Sequence, residues 1–345
     1  MKRYFYNLIT GERHVAFGPV LRPFLFFASL LFFVTVKARV FLYETGIFRR
    51  GKLPVPVISV GNIAWGGTGK TPLAEAILRW LDVRGIGPVL LTRGYGNDED
   101  RVMSSRFPSA RILSGKHRLR NALSYMKAVH AGAFVLDDGF QHLKIARDID
   151  IVTLNAVSPF GNGMLMPAGS LREPLSALKR ADIIVLTKSD LVTGDELSDI
   201  RRRVRGISNN ALLFHARHVP VSLKISGKEE VGLEYIKGKR AICVSALADN
   251  LSFVKTVEGL GAVCVNSLPY IDHHLYDIGD IERILRVSRE CGVSIVLTTE
   301  KDWVKLDALT ACSDMGRIRF LVLRVDLKLY EEETFYGRLS ALFNS

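Results

Sequence analysis

Short apolar runs alternate with helix-period stretches over most of the chain. Residues 56–60, 89–92, 133–136, 149–154 and 183–187 are dense in Val, Ile and Leu. Strands buried on both faces require continuous apolar runs of this kind, and runs this short read as strands rather than helices. Residues 73–80, 117–130 and 191–206 read as helices between or after them. Strand and helix in alternation predict an α/β fold, a mostly parallel sheet with helices on both faces. Residues 207–238 are mixed, with short alternating pieces around 212–225, and are expected to link two domains. A second alternating set follows, with strands at 240–244, 263–266, 294–298 and 319–323 and helices at 250–260 and 277–291. The expected organisation is an N-terminal flank (1–52), a core domain (53–212), a linker (213–238) and a smaller α/β domain (239–345).

The N-terminal flank breaks the pattern. Residues 23–36 carry no charge and include five Phe. Nine Lys or Arg and only two Glu fall in the first 52 residues, a large part of the net charge of +12. That balance would also suit nucleic acid, but an apolar core framed by Lys and Arg matches an anionic membrane surface. As a helix this run is about 21 Å long, short of the roughly 30 Å hydrocarbon core. Extending it back to Val15 gives about 33 Å, with Arg22 able to snorkel outward. No small-residue cleavage site follows. The expectation is an uncleaved membrane-anchor helix, spanning or lying on the surface, with the remaining chain on the cytoplasmic side; the alternative is a buried N-terminal helix. Cys243, Cys264, Cys291 and Cys312 are far apart and lack metal-ligand spacing. Four isolated thiols fit a reducing compartment better than a disulfide framework.

The clearest chemistry lies where the first apolar strand runs into Gly61-Asn62-Ile63-Ala64-Trp65-Gly66-Gly67-Thr68-Gly69-Lys70-Thr71-Pro72. Strand, glycine-rich loop and helix make a phosphate cradle: successive backbone N–H groups turn inward and the helix start adds its positive dipole end. Gly66, Gly67, Thr68 and Gly69 would supply amides, Lys70 would reach the β- and γ-phosphates, and the Thr71 hydroxyl would help hold Mg²⁺. Ala64 stands where the usual motif has its first Gly. The strand at 133–136 delivers Asp137 and Asp138, then Gly139-Phe140-Gln141-His142. An acidic residue at such a strand end is what a phosphate-loop site needs to hold Mg²⁺ or its water shell. Thr187-Lys188-Ser189-Asp190 resembles the signature by which GTPases read guanine, although a strand-ending turn explains it equally well. In Asp272-His273-His274 a loop histidine suits acid–base work, its pKa lying near neutrality. Residues 116–120 and 167–174 place further Lys and Arg in the same predicted domain, able to meet a phosphorylated substrate.

These blocks, in this order, resemble the lipid A 4′-kinase (tetraacyldisaccharide 4′-kinase) family. The matching pieces are the anchor, Val60-Gly61-Asn62 with Gly66 to Pro72, and Arg93-Gly94-Tyr95. Next come Asp137 to His142, Leu165-Met166-Pro167-Ala168-Gly169 with Leu171-Arg172-Glu173-Pro174, Asp272-His273-His274, and Thr299-Glu300-Lys301-Asp302. The resemblance implies a phosphate-loop core with a smaller α/β domain, using ATP and Mg²⁺. It implies transfer of the γ-phosphate to the 4′-hydroxyl of an acylated disaccharide 1-phosphate at the cytoplasmic face of the bacterial inner membrane. No nucleic acid and no obligate protein partner is expected. Carried over residue by residue, Thr71 and Asp137 would hold the metal with Asp138 and Glu173 nearby. His273, oriented by Asp98, would take the hydroxyl proton. Arg93, Tyr95, Arg118, Gln141 and Arg172 would contact substrate or transition-state charge. Asp98 sits in Gly96-Asn97-Asp98-Glu99-Asp100, with Asp100 where the family has Pro. The rivals are a membrane-attached GTPase switch and a non-catalytic tethered scaffold.

Overall fold

The computed structural model describes residues 18–94, 102–104, 106, 111–247, 250–271 and 274–344. Its elements in chain order are α1 (Gly18–Glu44), β1 (Val57–Gly61), α2 (Lys70–Val83), β2 (Pro88–Thr92), β3 (Arg111–Ser114), α3 (Arg118–Met126), β4 (Ala133–Asp137), β5 (Ile149–Asn155) and β6 (Ile183–Thr187). Then come α4 (Gly194–Ile207), β7 (Leu212–Ile225), β8 (Glu229–Val231), β9 (Arg240–Ser245), α5 (Asn250–Gly259) and β10 (Val263–Pro269). The chain ends with α6 (Ile278–Glu290), β11 (Ile295–Thr299), α7 (Glu300–Ala311), β12 (Arg319–Leu329) and α8 (Glu332–Ser340). It divides into two compact units. The first is Met1–Gly94, Phe107–Arg217 and Leu327–Ser345; the second is Tyr95–Arg106 and His218–Asp326.

In the first unit the strands lie in the order β3-β2-β4-β1-β5-β6-β7, every neighbouring pair parallel. All residues of β1, β4 and β6 are buried, which is why their apolar runs are continuous rather than alternating. Strand order reverses around β1 and β4, and in open α/β sheets ligands bind beyond the carboxyl ends of strands at such a switch point. Gly61 closes β1 and has no alternative: a Cβ there would lie 2.6 Å from the Phe140 backbone nitrogen. The last strand-crossing, β12, returns the chain from the second unit, and α8 then packs within the first. Phe335 and Leu339 are fully buried there, and Tyr336 stacks on Trp80 of α2 at 5.1 Å between ring centroids.

The second unit has parallel strands in the order β10-β9-β11-β12, with β8 antiparallel to the end of β7. The core on one face gathers Ile242, Val244, Ile281, Ile284, Val296 and Leu306. Two expectations need correction. Residues 213–238 are no linker: β7 is a single 14-residue strand entered from the first unit and left in the second, followed by β8 and a 3₁₀ turn at Leu233–Ile236. Residues 239–345 are no single domain, because 327–345 belong to the first unit.

Candidate functional site

Gly69, with φ 79°, turns the chain from the loop into α2. Only a residue tolerant of the left-handed region fits, and Thr187 Cγ2 would lie 3.0 Å from any Cβ. The loop is braced from below by buried hydroxyls. Asn62 Nδ2 donates to Thr68 Oγ1 (2.8 Å), Thr68 pairs with Thr153 Oγ1 (2.9 Å), and Thr153 donates to the Gly61 carbonyl (3.2 Å). Thr187 Oγ1 donates to the Thr68 carbonyl (3.0 Å). These groups hold the base of the loop, while Trp65, Gly66 and Gly67 stay exposed above it.

Lys70 and Thr71 open α2 beside the end of β4. Thr71 Oγ1 donates to Asp137 Oδ2 at 3.2 Å. Asp138 adopts φ 51° and turns its carboxylate to Lys70 (3.7 Å) and to Arg172, whose Nη1 donates to both oxygens at 2.8 and 3.0 Å. Burial opposes its charge, but Lys70, Arg172 and Arg118 prevail and hold Asp138 below the usual carboxylate range. Arg118, at the start of α3, is buried and donates to the Asp138 carbonyl at 3.2 Å. Burial lowers its pKa, against the pull of Asp137 and Asp138; Arg93 pushes in the same direction as burial. Gln141 Nε2 donates to the Asn62 carbonyl at 2.7 Å. The site is therefore a ring of cations around two carboxylates at the carboxyl edge of the sheet, suited to a polyanion.

The segment 164–173 straps this site from the side. Trp65 N donates to the Ser170 carbonyl and Arg172 N to the Ile63 carbonyl, both at 2.7 Å. Glu173, expected beside the metal, is instead 3 % exposed and paired with Arg180 at 2.7 Å. Burial raises its pKa against that pairing. Its carboxylate is engaged in holding the strap, whereas the Thr71 hydroxyl and Asp137 carboxylate fit a magnesium that keeps most of its water. Among the described residues no three His, Cys, Asp or Glu side chains cluster for a metal.

Asp98, Tyr95 and His273 lie outside the described residues. Arg106, in the second unit with residues 95–106, pairs there with Glu300 and with Asp326 (3.4 Å). His274, in the same unit, is committed: its Nε2 meets Asp280 Oδ2 at 2.6 Å and its ring stacks on Tyr270. In Thr187-Lys188-Ser189-Asp190, Thr187 braces the loop and Ser189 donates to the Ala216 carbonyl at 3.1 Å, so half of that segment is structural. Sequence reasoning missed the braces Asn62, Thr153 and Thr187. The first sat unremarked in the quoted motif, and Thr153 lies inside an apolar run with no local sign of its partner.

The model of the tetraacyldisaccharide-1-P 4′-kinase family (LpxK) matches residues 21–344. This chain belongs to that family. It is similar to the tetraacyldisaccharide 4′-kinase of Anaeromyxobacter sp. (strain K), 37% identical over 92% of this chain and 89% of the relative. A probable mitochondrial tetraacyldisaccharide 4′-kinase of Arabidopsis thaliana is 36% identical over 90% of this chain and 87% of its own. The crystal structure of Aquifex aeolicus LpxK in complex with ATP aligns with a TM-score of 0.72 at 29% identity, covering 94% of this chain and 99% of that one. The phosphate-loop α/β fold expected from the sequence is the fold of this kinase family.

Proposed function

We infer that this protein transfers the γ-phosphate of ATP to the 4′-hydroxyl of a tetraacyldisaccharide 1-phosphate, making the 4′-phosphorylated lipid A precursor. The observation that carries this reading is the convergence of Lys70, Thr71, Asp137 and Asp138 at the sheet edge, ringed by Arg118 and Arg172, in a chain of this family. Phosphoryl transfer asks mainly for positioning and charge neutralisation. The loop amides and Lys70 hold the β- and γ-phosphates. Thr71 and Asp137 would hold Mg²⁺, and the ion would supply charge neutralisation for the transferred phosphate. Arg93, Tyr95, Arg118, Gln141 and Arg172 would contact the substrate or the charge of the transition state. His273, oriented by Asp98, takes the proton of the acceptor hydroxyl.

The membrane completes the reading. α1 is long and apolar enough to cross a bilayer, and Phe24, Phe27 and Leu31 are 66–70 % exposed. Yet Leu25, Ser29, Phe32, Phe33, Val36, Val40 and Tyr43 are half-buried or buried along one side. A helix docked on its own protein over that length lies along the surface of the inner membrane, cytoplasmic side, with its other side in lipid. ADP formation tests the activity, measured with ATP or GTP and with or without the acceptor. The reading expects ATP turnover that depends on acceptor. GTP turnover indifferent to acceptor would overturn it in favour of a membrane-attached GTPase.

A further inference from the structure

Ser29 is a polar residue in the middle of an apolar helix, and it is 7 % exposed. Serine in such a place commonly bonds its own helix, and the hydroxyl does lie 2.9 Å from the Leu25 carbonyl. It also lies 2.8 Å from the Leu165 carbonyl and accepts from Ala168 N at 2.9 Å. Both of those groups belong to the strap. Two further contacts secure the same helix: Lys37 Nζ donates to Ser176 Oγ at 3.1 Å, and Arg39 Nη2 to the Gln141 carbonyl at 2.9 Å. An anchor needs none of them, since membrane attachment asks only for the outward Phe and Leu side chains.

The strap these contacts hold is a closed unit. Leu171 N donates to the Met164 carbonyl (3.0 Å), Met166 N to the Leu171 carbonyl (2.8 Å) and Gly169 N to the Leu165 carbonyl (2.8 Å). Gly169 leaves no room for a Cβ against Met164 and Asn162. Its far edge bonds directly to the phosphate loop, through Trp65 to Ser170, Arg172 to Ile63, and an antiparallel bridge between Ala64 and Leu171. It ends in Arg172, which holds Asp138. From Ser29 to the loop backbone the path is contiguous, tightly packed and made of directional bonds, so a displacement at one end is carried to the other.

We propose that α1 is a positioning element of the phosphate loop as well as a membrane anchor, with Ser29 the residue that joins the two roles. The outward side of the helix meets lipid, the inward side fixes the strap, and the strap fixes residues 63–65 and Arg172. Nucleotide binding is then strongest when the helix is docked. The proposal deepens the kinase reading, but its first readout, nucleotide affinity, does not require that reading to hold.

The test uses the full chain in detergent micelles and in anionic phospholipid vesicles. Ser29→Ala is expected to weaken ATP binding about tenfold and to lower kcat by about as much or more, since small misplacements cost heavily in positioned sites. Amide protection at residues 63–65 and 170–172 is expected to fall, while vesicle binding stays at the wild-type level. Ser29→Thr, which keeps the hydroxyl, is expected to restore both. Substituting Phe24 and Phe27 by Ser is expected to give the reverse pattern, lost vesicle binding with unchanged ATP affinity. Should Ser29→Ala fold poorly, Arg39→Ala removes the exposed contact to Gln141 and is expected to weaken ATP binding in the same direction. Wild-type ATP affinity and loop protection in both Ser29→Ala and Arg39→Ala would overturn the proposal. So would loss of vesicle binding in step with loss of ATP binding.

Discussion

The base of the phosphate loop is held by Asn62, Thr153 and Thr187, which carry no chemistry of their own, whereas Lys70, Thr71, Asp137 and Asp138 place one another. A sugar hydroxyl is a weak nucleophile at neutral pH, and a positioned base is worth about 10²–10⁴-fold in rate. Asp98→Ala and His273→Ala should each lose kcat within about that range, and the double variant should lose little more than the worse single one. Rapid-quench kinetics on the three variants checks this, and multiplicative losses would separate the pair. His142 offers a test by pH. Burial, with Arg118, Arg147, Lys144 and Arg39 around it, holds its pKa down to about 4. The unfolded chain therefore binds this proton near pH 6.5 and the folded one does not, so stability falls as pH drops from 6.5 toward 4. The loss from this group is of the order of 2 kcal/mol after allowing for partial solvent access. Urea midpoints at pH 7.5 and pH 5 should differ less in His142→Gln than in the wild type. The site was legible in the sequence where it was local: Gly69-Lys70-Thr71 and Asp137-Asp138 each announce a loop or a strand end. Thr153 and Thr187 were not legible as braces, because they meet the loop only after β5 pairs with β1 and β6 with β5.

Among the elements, α1 departs most from expectation. The uncharged run of 23–36 is embedded in a longer helix, Gly18–Glu44, that takes in Arg22 on one side and continues through Lys37 and Arg39 on the other. Hydropathy showed the apolar run but not which side would be covered by protein, since both sides are apolar. Three residues on the open side, Phe24, Phe27 and Leu31, are 70 %, 66 % and 68 % exposed. Burying each in lipid is worth about 1.5–3 kcal/mol. Changing all three to Ser should weaken partition into anionic vesicles by roughly three orders of magnitude or more. Flotation assays measure this directly; unchanged flotation would remove the helix from membrane attachment. Strands β1, β2, β4, β5 and β6 were legible; β7 showed only as short alternating pieces of an expected linker, and β3, whose four residues are exposed or half-buried, carries no long apolar run. Helices α7 and α8 were missed for a different reason. The start of α7 is set by Thr299, which accepts from Asp302 N at 3.1 Å, a cap hidden inside a motif quoted for its chemistry.

At the scale of the molecule, the second unit is inserted into the first rather than following it. β7 leaves and β12 returns, and the chain after Leu327 completes the first core. A linear reading of 239–345 as one domain fails because composition does not change at residue 327. Phe335 is fully buried and packs edge-on against Phe214 at 5.3 Å. Phe335→Ala should destabilise the first unit by about 3–5 kcal/mol, read as lost amide protection in β6 and α2 with β9 and β11 protected as before. Loss confined to the second unit would contradict the insertion. The central claim concerns chemistry, and one measurement meets it most directly. The purified protein is given γ-labelled ATP with Mg²⁺ and tetraacyldisaccharide 1-phosphate in mixed micelles, and the lipid product is analysed for label and for the position of the new phosphate. The account predicts a bisphosphorylated lipid labelled at the 4′ position, absent with Lys70→Ala. Label that stays in free phosphate, or enters the lipid anywhere but the 4′-oxygen, would contradict it.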